Sequence, residues 1–374
     1  MQGSNIQRHA IAPALVVRGD GAWEDALPAI AQLGRRPLLL GRSAATRPLR
    51  QGLAADLEQH GLAPQPAELR HDCCESDLTA IAAAAEQGRC DAVLAVGGGK
   101  VLDAGKLLAY RLGLPCITVP TSAATCAGWT ALANIYSEHG AFEGDVALDH
   151  CPDLLVFDHR LVREAPASTL ASGIADAMAK WYEASVSSGA SSDGLVQQAV
   201  QQARVLRDQL LLEAREALAN PGGDAWVRVA EACALTAGLI GGIGGARCRT
   251  VAAHAVHNGL TQLEASHGRL HGEKVGFGIL VQLRLEEVIG GNRLAAQARR
   301  QLLPFFQALD LPVSLEDLGL AQASLSELQA VANFACRPGS DLHHLPFAVQ
   351  PADLLAALVS TTSVGEAVPA PRQG

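Results

Sequence analysis

No run of about 18 uncharged apolar residues occurs in the chain, so no segment reads as a bilayer-spanning helix. CxxC pairs are also missing: cysteines 73, 74, 90, 116, 126, 151, 233, 248 and 336 lie scattered, which speaks against a disulfide frame or a zinc ribbon. Even the adjacent Cys73 and Cys74 read as ordinary thiols. Lys/Arg blocks are lacking and the net charge is −9, which excludes wrapping a polyanion and makes nucleic acid an unexpected partner. The opening MQGSNIQRHA has no charged start followed by an apolar stretch, so the expected compartment is the cytoplasm. What is present is a globular composition, 49% apolar and 18% charged over 374 residues, enough for two cores.

The first 160 residues alternate β-rich runs (14–17, 37–40, 92–96, 117–119, 154–157) with helical patterns near 23–33, 44–60, 76–87 and 101–112. Such alternation implies parallel strands with crossover helices and ligands at the strands' C-terminal ends. Beyond about residue 160, Ala/Leu/Gln-rich segments at helical spacing predict helices over 168–187, 194–217, 223–240, 250–264, 272–290, 294–308, 323–336 and 351–359. Gly241–Gly245 punctuates two of them, and Val368–Gly374 reads as a loose tail.

Three constellations carry chemistry. Val96-Gly97-Gly98-Gly99-Lys100-Val101-Leu102-Asp103 stands between a buried strand and a helix, where bare main-chain amides and a helix N-terminus can cradle a phosphate. It matches neither the spaced Rossmann glycines nor GK[ST], and a tight structural turn is the competing reading. Pro120 to Thr130 follows another strand and offers small hydroxyl side chains, which suit a cofactor contact or an exposed loop equally. His254 and His257 share a helix face, with His267 and His271 beyond them; imidazoles from two helices supply part of a divalent-metal set, although capping or surface roles fit the spacing too. Asp176, in an apolar helical segment, either completes that set or pairs with Lys180 one turn away.

In this order, these segments resemble the superfamily of iron-containing alcohol dehydrogenases and glycerol dehydrogenases, which also includes dehydroquinate synthase. The resemblance runs from about Arg35 to the last helices and is most specific at VGGGKVLDAGK, PTSAATCAGWTALANIY, GIADAMAKWYEA and AAHAVHNGL…LHGEKVGFGILVQ. It implies the dehydroquinate synthase-like fold: an α/β dinucleotide-binding domain (1–160) with a parallel sheet, then an all-α domain (161–374) for metal and substrate. It implies one divalent ion, zinc or iron, on Asp176, His254 and His271. It implies NAD or NADP at Gly97, Gly98, Gly99, Lys100, Asp103, Thr121, Ser122 and Thr125, with Thr130, Leu132 and Tyr136 in the same site. A homo-oligomer acting on a small molecule is expected.

Three departures from the family pattern shape the expected substrate and cofactor. Lys180 stands where many members carry a fourth ligand, four residues after the aspartate. Cys126 replaces the aspartate with which glycerol dehydrogenases hold the polyol. Leu40-Gly41-Arg42 replaces an acidic residue that accepts ribose hydroxyls, which points toward NADP, unless Arg42 merely faces solvent. With TCAGWT, ADAMAKWYEA and the Cys336-Arg337-Pro338…His343-His344-Leu345-Pro346 segment, the chain looks most like the hydroxycarboxylate dehydrogenase group. The expected reaction interconverts a small 2-oxo acid and its 2-hydroxy acid, with the metal as Lewis acid and Lys180 and Cys126 at the substrate. His257 is expected to relay a proton or to support the metal ligands, and the competing role for Lys180 is a pair with a surface acid such as Glu183. The alternatives are a polyol dehydrogenase, a lyase needing a basic cluster, and a silent binding protein.

Overall fold

The structure, a computed structural model, describes residues 6 and 8–361; the tail expected at Val368–Gly374 lies outside them. Eight strands form: β1 (Leu15–Gly19), β2 (Pro37–Gly41), β3 (Gln65–Glu68), β4 (Ala92–Gly97), β5 (Cys116–Pro120), β6 (Leu132–Tyr136), β7 (Phe142–Ala147) and β8 (Leu154–Asp158). Six of them make one parallel sheet in the order β1-β8-β5-β4-β2-β3, while β6 and β7 pair antiparallel as a separate hairpin. Every residue of β2, β4, β5 and β8 is buried, as near-continuous apolar runs between helical layers should be. The edge strand β3 has the sequence QPAE and alternates half-buried with exposed; without β-branched residues it carries no strand signal, and its proline is tolerated at an edge.

Five helices accompany the sheet: α1 (Ala22–Leu33), α2 (Arg47–Gln59), α3 (Glu75–Gln87), α4 (Gly99–Leu112) and the short α5 (His159–Arg163). The chain runs from β2 outward to β3, then returns to β4 and proceeds to β5 on the other side. The topological switch therefore falls between β2 and β4, where a crevice opens at the strands' carboxyl ends. Arg42 follows one strand and the glycine run ends the other. Gly105 lets α4 lie tight on β4, because a side chain there would collide with Ala95.

The rest is helical: α6 (Ala167–Ser188), α7 (Gly194–Ala219), α8 (Asp224–Glu231), α9 (Ala237–Gly244), α10 (Ala252–Leu260), α11 (His271–Val288), α12 (Arg293–Gln307), α13 (Leu325–Ala335) and α14 (Pro351–Ser360). A π-helical turn, Ala232–Thr236, joins α8 to α9, so the glycines expected to break the chain at 241 instead form the last turn of α9; only Gly245, at φ 71°, ends it. The stretch Asp224–Gly244 is long and apolar enough to cross a bilayer by length and composition, but it packs against α6 and α7. The helix expected over 250–264 stops at Leu260 and gives way to turns.

Candidate metal and dinucleotide site

Helix α6 sets Asp176, Lys180 and Glu183 on one face at i, i+4 and i+7, and all three are buried. Against this face pack α10, carrying His254 and His257, and the first turn of α11, which begins at His271. Glycines make the approach possible. A side chain on Gly272 would run into the Ser172 carbonyl, and its amide donates to Ser172 Oγ at 3.0 Å. Gly278 lies equally tight on the Ala253 carbonyl, and Gly173 on the Ala123 carbonyl of the loop after β5.

This packing brings Asp176, His254 and His271 together, with their ligand atoms within 4.8 Å of one another. His254 Nε2 and His271 Nε2 each stand 3.3 Å from Asp176 Oδ1, yet that oxygen is buried with no hydrogen-bond partner among the described residues. A buried, unsatisfied carboxylate oxygen facing two imidazole nitrogens is costly unless something between them accepts all three. One carboxylate and two imidazoles are a donor set suited to zinc or iron(II). The residues fit a divalent ion. Burial works against the Asp176 charge, but the facing histidines outweigh it and hold the carboxyl well below its usual range.

Lys180 sits beside this cluster, 5% exposed, and its Nζ donates to the Arg249 carbonyl at 3.2 Å. It forms no ion pair with Asp176 or with Glu183. Glu183 is not a surface acid, as the competing reading of Lys180 required: it is wholly buried, with Oε2 2.6 Å from His254 Nδ1 and Oε1 accepting the amides of Val251 and His254. Burial opposes the charge on Lys180, but the neighbouring carboxylates, Asp176 first, prevail, so its ammonium is held above the ordinary lysine value. His257 stands behind His271 rather than in the cavity wall, its Nε2 3.0 Å from His271 Nδ1. His267 bonds the Thr261 carbonyl at 2.8 Å, away from the cluster.

A cavity of about 370 Å³ runs from the metal cluster to the sheet's switch point. Its wall includes Arg42, Gly97, Gly98, Gly99, Lys100, Asp103, Thr121, Ser122, Thr125, Cys126, Thr130, Leu132, Tyr136, Asp176, Lys180, His254 and His271. Gly97 pairs with Pro120 in register, so the glycine run and the hydroxyl-rich loop leave the sheet side by side. Gly98 caps α4 without any side-chain hydrogen bond, and a Cβ there would meet open space; bare amides at the start of a 14-residue helix suit a pyrophosphate. Asp103 has both oxygens committed inward, 3.0 Å from Lys106 Nζ and 3.3 Å from the Asn134 amide, which fastens the β6–β7 hairpin onto α4.

Arg42 does not simply face solvent: it pairs with Asp72, which also receives Lys100, so one buried carboxylate ties the two sides of the switch crevice. Lys100 in turn lies over the Tyr136 ring, 4.8 Å from its centroid. Sequence reasoning missed Asp72, Glu183, Asn258 and Arg249. For Glu183 a signal existed, since it falls two helical turns after Asp176 in the same apolar segment. Arg249, which lines the cavity, precedes α10 in a loop with no pattern to mark it.

Residues 13–159 match the family model for iron-containing alcohol dehydrogenase. An uncharacterized oxidoreductase of Synechocystis sp. is 54% identical over 352 residues, covering 94% of this chain and 91% of that protein. The chain belongs to the iron-containing alcohol dehydrogenase family. Within it, hydroxycarboxylate dehydrogenase A of Escherichia coli is 36% identical over 300 residues, 79% of this chain and 81% of its own. The crystal structure of a probable glycerol dehydrogenase from Sinorhizobium meliloti matches with a TM-score of 0.84 at 30% identity, covering 95% of this chain and 98% of that one. As a family member this protein is a nicotinamide-linked oxidoreductase acting on CH–OH groups.

Proposed function

We propose that this protein interconverts a small 2-oxo acid and its 2-hydroxy acid, with a divalent ion on Asp176, His254 and His271 and a dinucleotide, preferentially NADP(H), along Gly97–Lys100 and Thr121–Thr130. The observation that carries the substrate class is Lys180: a buried ammonium in the wall of the metal cavity which, among the described residues, bonds only to a main-chain carbonyl and forms no ion pair with a carboxylate. Asp176, His254 and His271 would hold an ion that supplies Lewis-acid polarisation of a carbonyl oxygen, and the glycine run and hydroxyl loop would hold a dinucleotide that supplies the hydride.

Lys180, beside Asp176, would hold a carboxylate adjacent to the reacting carbonyl, and fixing the substrate there would remove much of its orientational freedom. Cys126 lines the same wall with a buried thiol, which burial pushes above its ordinary value, so it stays neutral and offers a polyol no charged acceptor. Arg42 and Lys100 bring two cations to the switch crevice against the one carboxylate of Asp72, an excess of positive charge that suits a 2′-phosphate. After reconstitution with zinc or iron(II), 2-oxo acids, neutral aldehydes and ketones are compared with NADPH and NADH, and 2-hydroxy acids and glycerol with NADP⁺ and NAD⁺. Turnover of a 2-oxo acid should dominate; turnover of glycerol well above any 2-hydroxy acid overturns the proposal.

A further inference from the structure

We propose that Glu183 on one side, and His257 with Asn258 on the other, are positioning residues that lock His254 and His271 in one tautomer and thereby set the site's affinity for a divalent ion. This rests on the metal-dependent reading above.

The direction of each proton follows from the groups that can only accept. Glu183 Oε2 lies 2.6 Å from His254 Nδ1, and a carboxylate only accepts, so the proton belongs on Nδ1 of His254. The same carboxylate takes the amides of Val251 at 2.7 Å and His254 at 3.0 Å, which anchors the start of α10 to α6 and leaves Glu183 no freedom to turn. On the other side, Asn258 Oδ1 lies 2.9 Å from His257 Nδ1. The amide oxygen accepts, which puts the His257 proton on Nδ1 and leaves Nε2 as an acceptor. His271 Nδ1 stands 3.0 Å from that Nε2 and therefore donates to it.

Both outcomes converge. His254 and His271 each keep a proton on Nδ1, so each can give up Nε2, 3.3 Å from Asp176 Oδ1, to an ion. An Nε2–H on either ring would aim a proton where an ion needs a lone pair. Glu183 and His257 are both buried, so water does not compete for either hydrogen bond. Partners of this kind orient a ligating imidazole and raise its basicity. Asn258 thus acts on the ion at two removes, through His257 and then His271.

The Zn²⁺-loaded protein, labelled with ¹⁵N-histidine, is read first by long-range ¹H–¹⁵N NMR at neutral pH. His254, His257 and His271 should all show the Nδ1–H pattern, and an Nε2–H pattern at His254 or His271 overturns the proposal without any variant. Zn²⁺ affinity is then measured by competition with a chromogenic chelator. Glu183→Leu and Asn258→Leu should each weaken Zn²⁺ binding by about 10- to 100-fold, whereas Glu183→Gln and Asn258→Asp, which keep an accepting oxygen, should retain most of it. Equal Zn²⁺ affinity in all four variants overturns the inference while leaving the metal site standing. A wild-type protein that binds no Zn²⁺ overturns the metal reading itself.

Discussion

Lys180 Nζ donates to the main-chain carbonyl of Arg249 at 3.2 Å, so a buried ammonium is tethered to backbone rather than neutralised by an acid. It keeps donors available at the cavity wall. Lys180→Ala should lower kcat/KM for 2-oxobutyrate by about 10- to 100-fold, the worth of one charged hydrogen bond, and that for an uncharged aldehyde by less than about 3-fold. Steady-state kinetics on the two substrates decide the matter, and an equal loss on both removes Lys180 from substrate recognition.

Asp176 Oδ1 faces two imidazoles with no hydrogen bond of its own. Replacing Asp176, His254 or His271 with Ala should abolish bound metal and lower turnover by about 10³-fold or more, given that Lewis-acid stabilisation is worth several kcal/mol. Circular dichroism should remain native, because none of these side chains belongs to the hydrophobic core. Full activity of a metal-free His271→Ala enzyme would contradict the site.

Arg42 is joined with Lys100 through Asp72 at the switch between β2 and β4. Arg42→Asp sets two carboxylates side by side there and removes the partner of a 2′-phosphate. KM for NADPH should rise by about 10- to 100-fold and that for NADH by less than about 3-fold. Parallel increases for the two cofactors would show that Arg42 does not read the phosphate.

Lys274 is buried on α11, with Nζ donating to the carbonyls of Ser266 at 3.1 Å and Arg269 at 2.9 Å. Burial, with the nearby Lys100 charge second, pushes its ammonium down from 10.5 to about 8. Between those values the unfolded chain binds the proton and the folded one has released it. Stability from this group therefore rises with pH across that window and is smallest below about 8. Urea unfolding of wild type and Lys274→Met should diverge in the wild type's favour as pH climbs from 8 to 10.5. A difference that stays flat would show that Lys274 titrates normally in the fold.

Much of the architecture was legible because burial on both faces leaves a continuous apolar run, and β2, β4, β5 and β8 all show one. The strand β3 and the hairpin strands β6 and β7 were not: QPAE has no β-branched or aromatic residue, FEGDVA interrupts its Phe and Val with Glu, Gly and Asp, and pairing of β3 with β2 and of β6 with β7 holds them in place. Likewise the glycines at 241–244 look like a break, yet a helix packed against α7 tolerates them.

By itself the sequence determined the strands β1, β2, β4, β5 and β8, the glycine run after β4, and, through motifs resembling the family's, the three side chains expected to share an ion. Those features depend on residue type and local spacing. Only the tertiary structure decided that Glu183 is a buried partner of His254, that His257 stands behind His271, and that Asp72 joins Arg42 to Lys100. The first two depend on how closely α6, α10 and α11 approach, and the third on loops from different strands meeting at one sheet edge, distances that no spacing along a single segment encodes.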